Sequence, residues 1–420
     1  MRMFKLFLIF LFLCTAVNPV ARAADAPPNF TFHGAGYGHG VGLSQMGARS
    51  MALSGKSSAE ILQYYFKDVV IEPKDDSKIL RVNIGHSLAT AKIFTAIKGG
   101  QIQLFEGDIA DSSDAVPAAT FDSKSYLTFS LLGSNTVPIL TTGKTSSSLN
   151  KGKIFTIRWS GTRYLSGIDS VVNVTQTGVT QKYRYGQMQL KTLRVGTTYR
   201  IELTNSVRLA DEYLWGVSEM PSYWPIAALE AQAIASRTYA LSKAGIYRAA
   251  CDCDLYGQST DQVFVGYAKE TEKKYGQIWK NVVSNTAGIT ITQSGQPITA
   301  YFFSSSGGKT ETAENAWGSA RTFTQSVDDP GSLDLTLNPN YVTWNRVVSQ
   351  NIVATAFKLP DVVTLEILSK NESGTVAQIR ATASTGAQVV LRGETFRSRA
   401  KIPSAWFDFC LLYTSDAADE

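Results

Sequence analysis

The stretch LADEYLWGVSEMPSYWPIAALEAQAIASRTYAL, Leu209 to Leu241, decides how this chain is read. Its second half has the marks of a helix. Ser222 offers an N-cap, and Pro225 falls in the first turn, where its missing N–H costs nothing. Gly245, just beyond, can end the helix. Between them Ala227, Ala231 and Ala235 recur at four-residue spacing. A face of methyl groups lets another element approach closely, so this helix should lie against backbone. Gln232, Ser236 and Tyr239 share one arc, and Glu230 and Arg237, seven apart, share another. A polar stripe is usually a solvated face; with the remaining faces mostly Ala, a polar face is here a candidate cleft lining.

Ahead of the helix, GVSEMPSYWP (Gly216 to Pro225) sets Glu219 among Trp215, Met220, Tyr223 and Trp224. Pro221 biases Met220 away from helical geometry, which stiffens the turn. A carboxyl group walled by aromatic rings loses hydration, its pKa rises, and it becomes suited to donate a proton near neutrality. Aromatic faces also suit a sugar ring. The competing reading makes Glu219 a cap that answers the helix dipole.

Working outward, residues 78–200 alternate apolar and polar in short runs (ILRVNIG, GKIFTIRW, SVVNVTQ, TTYRIEL) broken by Gly, Ser and Asn. That is a series of strands. Their middle, about 93–178, is rich in Ser, Thr and Asp and reads as an accessory β module. VFVGY, GITITQ and ITAYFFSSSGG downstream are also strand-like, whereas SSAEILQYYFKDV from Ser57 reads as a short amphipathic helix. The expected fold is α+β: a β-dominated body, one central Ala-rich helix, and an inserted accessory β module.

Further segments could carry chemistry. GAGYGHGVGLSQMGA, Gly34 to Ala48, holds six glycines and His39 in fifteen residues. A dinucleotide loop would need a strand before it, and APPNFTFH is too short for a buried one. AYFFSSSGGKTE offers hydroxyls and unhindered N–H groups, a wall for hydroxylated or anionic ligands, or else a plain hairpin turn. No G-x-S-x-G elbow accompanies its serines, which argues against a serine hydrolase. Cys251 and Cys253 supply two of the four ligands that structural zinc needs, so a disulfide is preferred and zinc is the alternative.

The first 23 residues have the basic n-region, apolar h-region and Ala-Arg-Ala end of a signal peptide, which implies export. The formal net charge is +5, and Arg2, Lys5 and Arg22 leave with that leader. The remaining balance of about +2 argues against a nucleic-acid partner. No second apolar run approaches membrane-spanning length. LLYTSDAADE, after Cys410, changes character abruptly, and 410–420 are read as an artefactual tail.

Together these segments resemble the stage II sporulation protein D (SpoIID) family, which includes the amidase enhancers. The family pattern joins Tyr-Leu, Gly-Val, Pro-Ser-Glu-Met-Pro, Trp-Pro, Ala-Leu-x-Ala-Gln-Ala and Ala-Arg-Thr-Tyr-Ala; Val217 stands here where the proline would precede Ser218. STDQVFVGY, AYFFSSSGGKTE and GAGYGHGVGLSQMGA match further family segments. Phe303 replaces a family His, and Asp261 replaces a Cys, removing a ligand of the zinc site seen in some relatives. The glycine stretch precedes the core here, so the two ends of the domain should lie close together.

The resemblance implies a core at 201–409, preceded by the glycine stretch with its short helix (24–77) and the β-rich region (78–200). It implies lytic cleavage of peptidoglycan glycan strands, preferably peptide-stripped, with Glu219 as catalytic acid/base. Tyr223, Trp224, Gln232, Arg237, Tyr239, Gln262, Ser304, Ser305, Ser306, Gly307, His39 and Gln45 become candidate substrate contacts. No metal and no cofactor is expected. The alternative is a non-catalytic glycan-binding protein that enhances a cell-wall amidase, its partner.

Overall fold

The computed structural model describes residues 26–110 and 114–410; the leader (1–23) and residues 411–420 of the tail lie outside them. Strand outweighs helix in a mixed α+β architecture. The largest sheet has seven strands in the order Leu255–Tyr256, Ile79–Leu88, Thr198–Arg208, Gln187–Val195, Ile154–Trp159, Gln101–Glu106 and Ala119–Asp122. A six-stranded sheet runs Thr145–Ser148, Asn135–Thr142, Ser125–Leu132, Thr90–Thr95, Val172–Gln176 and Val179–Tyr183.

The expected accessory span, 93–178, is divided between these sheets. Gln101–Glu106 and Ile154–Trp159 pair into the large one, while Ser125–Leu132 and Val172–Gln176 belong to the other. Its apolar residues, such as Ile102, Phe129 and Val172, share one hydrophobic cluster with Ala228, Leu229 and Trp279.

Three helices position the site: α1 (Gln45–Leu53), α2 (Ser58–Tyr65) and α3 (Ile226–Lys243). α2 begins with a capping box. Glu60 N–H donates to the Ser57 hydroxyl, and the Glu60 carboxylate accepts from Ser57 N–H. This satisfies two otherwise orphaned donors and fixes where the helix starts. Ile61, Leu62, Tyr65 and Phe66 are all buried, as their spacing predicts. α3 is buried on nearly every side against α1, α2 and the strand Ile289–Gln293, as its methyl-rich surface requires. Its N-cap position is Pro225, without a side-chain cap. Ser222 is not the cap; its hydroxyl donates to Glu272 at 2.7 Å.

The N-terminal segment departs from expectation. Asn29–Gly34 forms the middle strand of a three-stranded sheet, between Trp344–Ser349 and Phe407–Cys410. Phe30 and Phe32 are buried in a second hydrophobic cluster, with Phe357, Phe396 and Phe407. Partners from more than 300 residues away supply what the short run lacks locally. The two ends of the chain's described part thus meet, and Cys410, set aside with the tail, ends one of the pairing strands.

Beyond this strand the glycine stretch threads through the fold as backbone. Leu43–Ser44 pairs in parallel with Phe302–Phe303, and Tyr37 bridges to Ser305. Gly42 has φ +82°, and a Cβ there would sit 2.2 Å from the Tyr301 carbonyl oxygen, so only glycine fits.

Candidate functional site

Glu219 stands in a loop stitched to the segment Gln262–Phe264. Ser218 N–H donates to the Val263 carbonyl at 2.8 Å, Val217 bridges Phe264, and Val263 N–H donates to Glu219 Oε1 at 2.6 Å. The carboxylate therefore does not cap α3. From the far side Lys269, 3% exposed, donates to the Met220 carbonyl at 2.7 Å and to Glu272 at 2.9 Å. The turn carrying Glu219 is thereby held at its backbone on both flanks. Among the described residues no cation pairs with its carboxylate. Burial pushes its pKa up to about 7, while the Val263 N–H pulls it down. Desolvation of the charged form is the dominant cause.

The aromatic residues of the motif point to separate neighbours. Trp224 is buried beneath Arg49, whose guanidinium lies 4.9 Å from the ring. Tyr223 is exposed beside Tyr275, with centroids 5.6 Å apart, and Trp215 faces Tyr185 and Lys280. The aromatic residue electrostatically linked to Glu219 is Tyr213, whose phenol is held well above its usual range by burial and then by Glu219 and Asp261.

The polar arc of α3 is joined into a rail. Gln45 donates to Gln232 at 3.2 Å, and Gln232 donates to the Ser236 hydroxyl at 3.0 Å. Gln262 donates to the Ser236 carbonyl at 3.1 Å and accepts from Tyr213 at 3.3 Å. Gln45, Gln232 and Gln262 are thus buried links between the glycine stretch, the helix and the segment that holds Glu219. Tyr239 donates to Asp261 at 2.7 Å.

Arg237 belongs elsewhere. It is fully buried, paired with Asp76 at 2.9 Å, and donates to Val283 and Ile289 carbonyls and the Thr286 hydroxyl. Its donors are spent on the fold, which corrects its assignment to substrate. Ser305 and Ser306 are likewise buried, and the Ser306 hydroxyl donates to Asp329 at 2.7 Å. A Cβ on Gly307 would meet Trp406. Only Ser304 of the serine run keeps appreciable exposure, so the expected hydroxyl wall does not form.

His39 accepts from Val41 N–H through Nδ1 at 3.0 Å, and its ring lies 5.1 Å from Trp317 and 5.8 Å from Phe303. Burial, with Arg397 adding to it, lowers its pKa to about 3, so the ring is neutral at any ordinary pH. Cys251 and Cys253 are joined in a disulfide. Among the described residues no three His, Cys, Asp or Glu side chains are grouped as metal ligands would be.

Sequence reasoning missed Val263, Tyr213, Asp261 and Arg248. Asp261, noted only as a departure, has a side chain 3% exposed that accepts from both terminal nitrogens of Arg248, the Tyr239 hydroxyl and Tyr256 N–H.

Residues 198–293 match the family model described as SpoIID, Stage II sporulation protein. Stage II sporulation protein D of Bacillus subtilis (strain 168) is 36% identical over 132 residues, 29% of this chain and 38% of that protein. Stage II sporulation protein D of Bacillus amyloliquefaciens is 30% identical over 220 residues, 47% of this chain and 59% of that one. A protein named Amidase enhancer, from Bacillus subtilis (strain 168), is 32% identical over 103 residues, 24% of this chain and 13% of its own length. The chain therefore spans less than two thirds of each of these relatives. No helix among the described residues is long and apolar enough to cross a membrane.

Proposed function

Since the chain belongs to the SpoIID family through its central region, we propose that it is an exported peptidoglycan lytic transglycosylase acting through Glu219. Its substrate would be MurNAc-GlcNAc strands, preferably stripped of peptides. The observation that carries this reading is the setting of Glu219: among the described residues its carboxylate has one backbone donor and no cationic partner, and burial pushes its pKa up to about 7. Such a carboxyl group exchanges its proton at neutral pH, as a single acid/base must.

Protonated Glu219 donates to the glycosidic oxygen as the bond to the muramyl anomeric carbon breaks. The muramyl C6 hydroxyl attacks that carbon, and its proton passes to the Glu219 carboxylate. An anhydro-muramyl end forms and the acid is restored. Hydrolysis by the usual route would call on a second carboxylate. Asp261, the other carboxylate acting on Tyr213, already accepts four hydrogen bonds and has little capacity left for that task.

A second reading, a non-catalytic glycan-binding enhancer of a cell-wall amidase, is favoured by the buried Phe303 at the family's His position and by the relative named Amidase enhancer. Digestion of peptide-free glycan strands by the wild type and Glu219→Gln, followed by mass spectrometry, separates the readings. The transglycosylase yields anhydro-muramyl ends from the wild type only. Reducing ends would replace it with hydrolysis, and retained glycan binding without cleavage would replace it with the enhancer.

A further inference from the structure

We propose that Asp261, clamped by Arg248 and Tyr239, is a positioning residue that aims the Val263 N–H at Glu219. The proposal rests on the acid/base reading of Glu219.

Residues 257–264 form a loop whose ends meet, Phe264 N–H donating to the Gly257 carbonyl at 3.2 Å. One side of the loop is stitched to the acid's own turn through Ser218–Val263 and Val265–Gly216 hydrogen bonds of 2.8 Å. The tip is fixed by the Asp261 carboxylate. Arg248 reaches it through two nitrogens at 2.6 and 3.0 Å, Tyr239 of α3 at 2.7 Å, and Tyr256 N–H at 2.8 Å.

Arg248 is itself held. Its N–H donates to the Cys253 carbonyl at 2.8 Å, and its carbonyl accepts from Cys251 and Cys253 N–H at 3.3 Å, within the turn the disulfide closes. Three separate elements thus converge on one carboxylate two residues from Val263. The intervening Gln262 is fixed to Ser236 and Tyr213, so a displacement at Asp261 is transmitted along a short, fully bonded segment. A bidentate, charge-assisted pair confers direction as well as attraction. Its burial carries a desolvation cost that a purely space-filling tip would avoid.

Among the described residues, the charged and titratable groups tied to the Glu219 loop are Tyr213, on which Glu219, Asp261 and Tyr239 all act, the Asp261–Arg248 pair two residues from Val263, and Lys269 with Glu272 at the Met220 carbonyl. Burial raises the proton affinity of Glu219, and the Val263 N–H is the opposing influence. Releasing that N–H therefore moves the titration upward. Losing the Asp261 charge without moving the loop would leave it in place or move it downward, because a negative charge close by favours the protonated acid. The direction of the shift separates positioning from simple electrostatics.

The test is carboxyl NMR of protein carrying 13C-labelled glutamate, with Glu219→Gln assigning the resonance, in wild type, Asp261→Asn, Asp261→Ala and Arg248→Lys. Thermal unfolding of each, and kcat and KM on peptide-free glycan, accompany it. We expect the Glu219 midpoint to rise from about 7 by about one pH unit in Asp261→Ala. kcat should fall roughly tenfold with KM little changed, since misdirected catalytic groups lose rate before binding. Arg248→Lys, which keeps the charge but loses the fork, should fall between. A midpoint that stays or falls in variants that remain folded overturns the proposal. A rising midpoint in a protein that never cleaves glycan would retain the positioning role and remove the acid/base reading.

Discussion

Glu219 and Glu311 are both largely enclosed carboxyl groups, and their surroundings make opposite use of them. Glu311, 2% exposed, accepts from Thr312 N–H, the Asn315 and Asn371 amides, and the Ser373 and Thr375 hydroxyls. Its backbone N–H also donates to the Gly40 carbonyl at 2.7 Å, tying the glycine stretch to the C-terminal region. Among the described residues, Glu219 accepts from Val263 N–H alone. Burial disfavours a charge until donors replace the lost water. Five donors hold a carboxylate in place; one donor leaves its burial largely uncompensated. Donor count, more than depth, separates the two carboxyl groups.

The sharpest break of this contrast is Glu219→Gln. Glycan cleavage, followed by release of anhydro-muramyl ends, should fall by about a thousandfold while the fold persists, since one positioned acid/base contributes on the order of 10²–10⁴. The complementary change, Glu311→Gln, should show its main effect on stability. An amide places two donors where only donors converge, and the cost in urea unfolding should be about 3 kcal/mol. If Glu311→Gln is neutral, the five hydrogen bonds are not what distinguishes the two sites.

A third prediction uses pH. The Glu219 pKa in the folded chain, about 7, lies above the ordinary 4.5, so folding binds its proton more tightly. The associated stability is complete below pH 4.5 and is lost as pH rises through about 7. Over that interval the wild type should lose up to about 3 kcal/mol relative to Glu219→Gln. Urea titrations of both proteins from pH 4 to 9 check it. A difference independent of pH would mean that Glu219 is solvated like any surface carboxylate.

The same contrast explains what the sequence could reveal. The apolar spacing of α2 and the methyl faces of α3 are local signals, and each was legible. Asn29–Gly34 was not, because its pairing partners lie at Trp344–Ser349 and Phe407–Cys410. The strands between 93 and 178 were legible as strands, but their sorting into two sheets depends on pairing that no local pattern encodes. At the site, Glu219 could be read from its motif. The Val263 N–H could not, because a backbone donor has no side-chain signature. Arg237 was misread because helical periodicity gives direction and not depth: it lies on a polar arc that points into the body and meets Asp76 there. Asp261 could be seen only as a substitution, since the turn and the helix that bring Arg248, Tyr256 and Tyr239 to its carboxylate leave no pattern in the residues beside it.

The smallest expected effect tests whether the glycine stretch is part of the site's scaffold. Gln45, 8% exposed, and Gln232, fully buried, share one hydrogen bond between α1 and α3. Changing Gln45 to Met leaves the Gln232 amide oxygen without its donor, and changing Gln232 leaves the Gln45 amide nitrogen without its acceptor, each at a cost of about 1–2 kcal/mol. Changing both removes the orphan, so the double variant should cost less than the sum of the two single changes. The coupling in a double-mutant cycle should be about 1 kcal/mol. Additive losses would mean that the two glutamines find other partners. The rail from the glycine stretch to the Glu219 loop would then start at Gln232, leaving the N-terminal stretch to act on the site through packing alone.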